Sequence, residues 1–112
     1  MRIVKLLLLA LVVLALSFSV AWAAGHLPEE RGKKLFNDPG FAGGTTSCNA
    51  CHPGGQGLEK AGEKTVFTIM GQRQGSLEDA VNFCIVNANK GRAIAVDSPE
   101  MQDMVAYIKS LK

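Results

Sequence analysis

Residues 48–52 read Cys-Asn-Ala-Cys-His. Two thiols with two residues between them lie on one turn of chain, and an imidazole follows at once. That spacing lets both thiols reach the two vinyl groups of a single porphyrin and form thioethers, while His52 falls under the iron and offers a ring nitrogen as proximal ligand. On this reading Cys48 and Cys51 anchor one covalent haem c, and His52 binds its iron. The same five residues alone would also suit half a zinc site or a thiol redox pair. A zinc site asks for two more ligands, and the other residues of these types are His26, near the start of the mature chain, and Cys84. A redox pair belongs at the end of a strand in a βαβ unit. Here the motif follows Gly43-Gly44-Thr45-Thr46-Ser47, with no strand-like run before it.

The first residues give a second, separate indication. Arg2 and Lys5 form a short positive region, Leu6 to Leu16 is an unbroken apolar run, and Ala21-Trp22-Ala23 offers small residues at cleavage positions. This is the pattern of a secretory signal peptide over residues 1–23, with the functional domain over residues 24–112. Apolar residues continue through Phe18, Val20 and Trp22, so an uncleaved membrane anchor is the competing reading. Haem of this kind is attached outside the bacterial inner membrane. Export and the motif therefore agree, and the expected location is the periplasm.

The chain carries 12 basic and 10 acidic side chains. Loss of Arg2 and Lys5 would bring the two to parity, and two haem propionates would tip the balance to acid. Nucleic-acid binding calls for a strongly basic face, which this balance does not supply. A domain this small buries little apolar surface, and covalent haem would act as its staple.

The mature chain divides into four segments. Pro28 to about Phe36 is expected to be helical: Pro28 suits the first turn, Glu29 and Glu30 its positive end, and Lys33 and Lys34 its negative end. Asn37-Asp38-Pro39-Gly40 stops it. Residues 39–64 read as a Gly-rich loop with one helical turn at the motif. A helix from Ser76 to about Asn87 follows, with Ser76 as N-cap and Leu77, Ala80, Val81, Cys84 and Ala88 on one face. The last helix begins near Ser98 or Pro99, with Met101, Met104, Val105, Ile108 and Leu111 as its apolar stripe. Val66, Phe67 and Ile69 suit a helical turn or a short extended run, and a helical turn is expected.

Helix, motif loop, helix, loop and terminal helix together resemble the class I cytochrome c fold: all-α, three to four short helices packed around one covalently attached haem. In that family a Gly and an aromatic of the first helix meet an aromatic of the last, and Gly32, Phe36 and Tyr107 match those positions. The stretches Ser76-Leu77-Glu78-Asp79, Asn82-Phe83-Cys84, Asn89-Lys90-Gly91-Arg92 and Asp97-Ser98-Pro99-Glu100-Met101 are similar to the cytochrome domains of thiosulfate dehydrogenases and Sox-type sulfur-oxidation cytochromes. The resemblance implies that Cys84 coordinates iron opposite the histidine. The sequence departs from those proteins in being short and in carrying a single motif.

The distal ligand has several candidates: Met70, Cys84, Met101, Met104, or none. The loop from about Asn87 to Asp97, where class I cytochromes place a methionine, contains none. Met101 and Met104 suit the helix–helix core. Met70 precedes Gly71 on a segment able to reach the distal side. Cys84 is the odd thiol of an exported chain, where an exposed free thiol is a liability, and it falls on an apolar helix face. Cys84 is the first choice and Met70 the second. A thiolate ligand lowers the reduction potential and a thioether raises it. Arg73, Lys90 and Arg92 are candidate cations near such a thiolate.

The expected function is a periplasmic monohaem carrier of single electrons between transient redox partners, cycling between Fe(II) and Fe(III). The alternative is a haem subunit or enzyme that oxidises thiosulfate or another reduced sulfur compound. The carrier reading is preferred to catalysis. Membrane association would follow only from an uncleaved leader.

Overall fold

The structure, a computed structural model, describes residues 3, 4 and 27–112. The expected signal peptide and His26 lie outside these residues, save for Ile3 and Val4. Four helices form the frame: α1 (Pro28–Asn37), α2 (Cys48–Cys51), α3 (Leu77–Asn87) and α4 (Pro99–Ser110). Short helical turns at Phe41–Gly43, Pro53–Gly55 and Ala61–Glu63 shape the loops around the motif. Among the described residues, no helix is long and apolar enough to cross a membrane.

The helix ends follow from local chemistry. Pro28 opens α1, Glu29 and Glu30 occupy its first turn and Lys34 its last, as the dipole favours. The hydroxyls of Ser76 and Ser98 cap α3 and α4, accepting from the amides of Asp79 at 3.0 Å and Met101 at 3.2 Å. Each satisfies an amide that has no partner within its helix.

Helices α1 and α4 pack across each other at Gly32. A Cβ at that position would overlap the carbonyl of Asp103 and come 2.8 Å from Tyr107 Cβ. Glycine therefore permits the crossing. Beside it the rings of Phe36 and Tyr107 meet edge to face with centroids 5.1 Å apart. Outside it the guanidinium of Arg31 donates from Nε and Nη2 to both carboxylate oxygens of Asp103, each at 2.8 Å. The core beneath holds Phe36, Ile85, Met101 and Met104 almost or wholly out of solvent.

One expectation is corrected. Residues 67–69 are not a helical turn, and the fold is not purely α-helical. Phe67–Ile69 (β1) and Gln72–Gln74 (β2) form an antiparallel hairpin with Phe67 opposite Gln74, Thr68 opposite Arg73 and Ile69 opposite Gln72. Phe67 is buried, Thr68 exposed and Ile69 half-buried, the period-two alternation of a strand. Met70 and Gly71 make the turn with φ of 51° and 77°. Positive φ at both central positions matches the twist of paired strands. The hairpin is short, and the rest of the described chain is helix, turn and loop.

Candidate functional site

The motif helix, the loop after it, the hairpin, α3 and α4 enclose a cavity of about 500 Å³. Cofactor pockets commonly hold about 300–1,000 Å³. Cys48 and His52 stand on its wall together with Cys84 and Met70. Most of the remaining wall is apolar and includes Phe36, Leu58, Phe67, Leu77, Val81 and Ile108.

Ser47 starts the motif helix: its hydroxyl accepts from the amide of Ala50 at 3.2 Å. The chain leaves the helix at His52, and the following loop turns back so that the Gln56 carbonyl lies 2.9 Å from Nδ1 of His52. A carbonyl only accepts, so Nδ1 carries the hydrogen and Nε2 keeps the lone pair. This is the tautomer a metal-ligating imidazole needs, with a backbone group fixing the ring. Gly57, at φ 89°, lets the loop pass there; a Cβ would stand 3.5 Å from Nδ1.

Cys48 is half-buried and Cys51 exposed. Burial pushes the Cys48 thiol above its ordinary pKa, and a hydrogen bond from Asn89 offsets part of that. Cys84 projects from α3, half-buried. Burial raises its thiol as well, with Cys48 and then Cys51 adding to the effect. Met70 differs: it caps the hairpin turn and is 73% exposed. Met101 and Met104 are both fully buried, and only Met104 touches the cavity. Their core role agrees with the sequence reading.

The expected cations need correction. Arg73, Lys90 and Arg92 are exposed and none lines the cavity. Lys90 instead donates to the carbonyl of Asn87 at 2.8 Å. The charged residues on the cavity wall are Lys60 and Lys64. Lys64 holds its ammonium 5.3 Å from the centre of the Phe67 ring, within cation–π range. Spacing did not reveal these lysines, because the loop that brings them to the cavity has no periodicity.

The residues present fit haem. Among the described residues, no group of three or more His, Cys, Asp or Glu could hold a bare metal ion. A porphyrin brings four nitrogens and asks the chain for only one or two axial ligands. His52 and Cys84 on one cavity meet that demand. The apolar wall suits the macrocycle, and Lys60 and Lys64 suit its two carboxylates.

The methionine-free loop after α3 is held firmly. The side-chain amide of Asn82 donates to the carbonyl of Ile94 at 2.8 Å and accepts from its N–H at 2.9 Å. The amide of Arg92 donates to the carbonyl of Ala42 at 2.9 Å. This loop therefore braces α3, and with it Cys84, against the segment that precedes the motif.

No family model matches the chain, and no solved structure matches it closely. Thiosulfate dehydrogenase of Allochromatium vinosum is 32% identical over 97 residues, covering 72% of this chain and 36% of that protein. The chain thus spans about a third of the length of this curated relative. The similarity supports a cytochrome-like relationship.

Proposed function

We propose that the chain is an exported monohaem c-type cytochrome, of class I, that carries single electrons between redox partners. The observation that carries this reading is the placing of Cys48, His52 and Cys84 on one largely apolar cavity, with His52 held in the ligating tautomer by the Gln56 carbonyl. Bound haem would supply reversible one-electron chemistry between Fe(II) and Fe(III).

The chain's own residues do the rest. Cys48 and Cys51 would anchor the haem, and Nε2 of His52 would bind its iron. Both Cys84 and Met70 stand on the cavity wall; Cys84 is half-buried on α3 and Met70 is 73% exposed on a turn, so Cys84 would be the second iron ligand. Phe36, Phe67, Leu77, Val81 and Ile108 exclude water. Lys60 and Lys64 would neutralise the haem carboxylates. A Cys84 thiolate on the iron would lower its reduction potential. Ferric EPR of the wild type and of Cys84→Ala tests the ligand. A thiolate-type low-spin signal lost in the variant supports it, and an unchanged spectrum transfers the role to Met70.

The match to a thiosulfate dehydrogenase favours a second reading, in which the chain serves sulfur oxidation as a haem subunit or enzyme. Stopped-flow mixing of ferric protein with thiosulfate separates the two. Fast electron exchange with another cytochrome and no reduction by thiosulfate upholds the carrier. Turnover of thiosulfate by the pure protein replaces it with the second reading.

A further inference from the structure

We infer that Leu111 is a positioning residue for His52 in the holoprotein: its side chain seats the loop that presents the Gln56 carbonyl to the imidazole, an inference that rests on the haem reading. Gly55 is buried, at φ 83°, in the turn between His52 and Gln56. A Cβ there would come 2.6 Å from both Cδ1 and Cδ2 of Leu111. The two methyl groups of Leu111 therefore take the space a side chain at Gly55 would fill, and they rest on the loop backbone one residue before Gln56.

The loop's own hydrogen bonds set its shape. Gly55 N–H donates to the His52 carbonyl at 2.8 Å, Gln56 N–H to the Pro53 carbonyl at 3.1 Å and Leu58 N–H to the Gly55 carbonyl at 3.0 Å. Gly54 N–H donates to the side-chain oxygen of Asn49 at 2.8 Å. All four bonds lie within residues 49–58, so they tie the segment to itself and not to α4. Leu111 supplies a contact from outside the segment, and its own place is fixed. Its N–H donates to the Ile108 carbonyl at 3.2 Å, and the Ser110 hydroxyl donates to the Tyr107 carbonyl at 2.6 Å. Tyr107 and Ile108 are buried. The end of α4 thus forms a firm seat, and position passes from Leu111 to Gly55, to the Gln56 carbonyl and to Nδ1 of His52.

The chemical consequence lies in the ring. A carbonyl on Nδ1–H makes the imidazole a stronger donor through Nε2, and a stronger donor favours ferric iron. Leu111→Ala frees the loop to swing from the ring. The Nδ1 hydrogen then meets water more often, and the reduction potential rises.

The test is NMR of reduced holoprotein carrying isotope-labelled histidine, which reads the solvent exchange of the His52 Nδ1 hydrogen, with protein-film voltammetry as the second readout. Wild type, Leu111→Ala, Leu111→Met and the control Ser98→Ala are compared. Ser98→Ala removes the cap at the opposite end of α4 and lowers stability without touching residues 49–58. The expected result is exchange about tenfold faster in Leu111→Ala, the scale of releasing one hydrogen bond, together with a higher potential. Leu111→Met, which keeps the volume, and Ser98→Ala retain the wild-type values. If Leu111→Ala does not accumulate, Leu111→Val, which draws its methyl groups back from Gly55, moves both readouts in the same direction. Wild-type exchange in the Leu111→Ala or Leu111→Val protein, or an equal change in Ser98→Ala, overturns the inference. Absence of haem from the wild type itself overturns the haem reading instead.

Discussion

The carbonyl of Gln56 stands 2.9 Å from Nδ1 of His52 and so decides which nitrogen of the ring is left to bind. Backbone geometry, not a side chain, sets this tautomer, and Gly57 at φ 89° makes that geometry accessible. Gly57→Ala is expected to cost about 1–3 kcal/mol, the usual range for a non-glycine held in a sparsely populated backbone region. Denaturant unfolding of the holoprotein reads the loss, and the low-spin absorption should weaken with it. An unchanged midpoint and spectrum would show that the loop does not hold the ring.

The Gly32 crossing makes a second prediction. A methyl group there overlaps the Asp103 carbonyl, so α1 and α4 must separate. Overpacking of this kind costs about 1–3 kcal/mol, and separation also loosens the contact of Phe36 with Tyr107. Gly32→Ala should lower the guanidinium midpoint without altering the ferric EPR signal, because the cavity ligands lie on other elements. A changed EPR signal at full stability would contradict this division of labour.

The C-terminal helices and the Ser76 cap were readable in the sequence because each rests on local or periodic signals, and the Gly32, Phe36 and Tyr107 contact was implied by the resemblance to class I cytochromes c. The hairpin was not. Its strands are only three residues long, and Val66 to Ile69 suits a helical turn as well as a strand until the paired residues are known. Met70 shows the same limit. Spacing made it a plausible ligand, whereas the turn geometry leaves it 73% exposed. The cavity lysines, the Gln56 carbonyl and the Asn89 contact are products of loop folding, for which no spacing rule exists. Ile85, among the deepest core residues at 1% exposure, was missed beside the neighbours that define the Cys84 face.

Acid should weaken ligation by Cys84. Burial holds this thiol above its ordinary pKa, with Cys48 and Cys51 adding to the rise. A raised folded-state pKa favours the neutral thiol: its contribution to stability is present below the ordinary value and lost as pH rises through the raised one. Iron needs the thiolate, so protons compete with it. The thiolate-type signal should fade as the holoprotein is acidified from neutral pH and return on neutralisation. A signal insensitive to acid would contradict a Cys84–iron bond.

Lys60 and Lys64 should tune the potential. Paired cations favour the reduced, less positive iron and keep nearby carboxylates ionised. The double variant Lys60→Gln, Lys64→Gln is expected to lower the reduction potential and to make it fall more steeply with pH near neutrality, as the carboxylates titrate there. Protein-film voltammetry across a pH series measures both. A superimposable potential–pH curve would remove the lysines from the carboxylate edge.

The central claim is that Cys48 and Cys51 hold one haem by covalent bonds. Intact mass spectrometry of the exported protein, under denaturing conditions that strip non-covalent cofactors, tests it most directly. The account predicts a mass equal to the mature chain plus one haem, reduced to the bare chain in Cys48→Ala, Cys51→Ala. A wild-type mass equal to the unmodified chain, from cells that attach haem to other proteins, would contradict it.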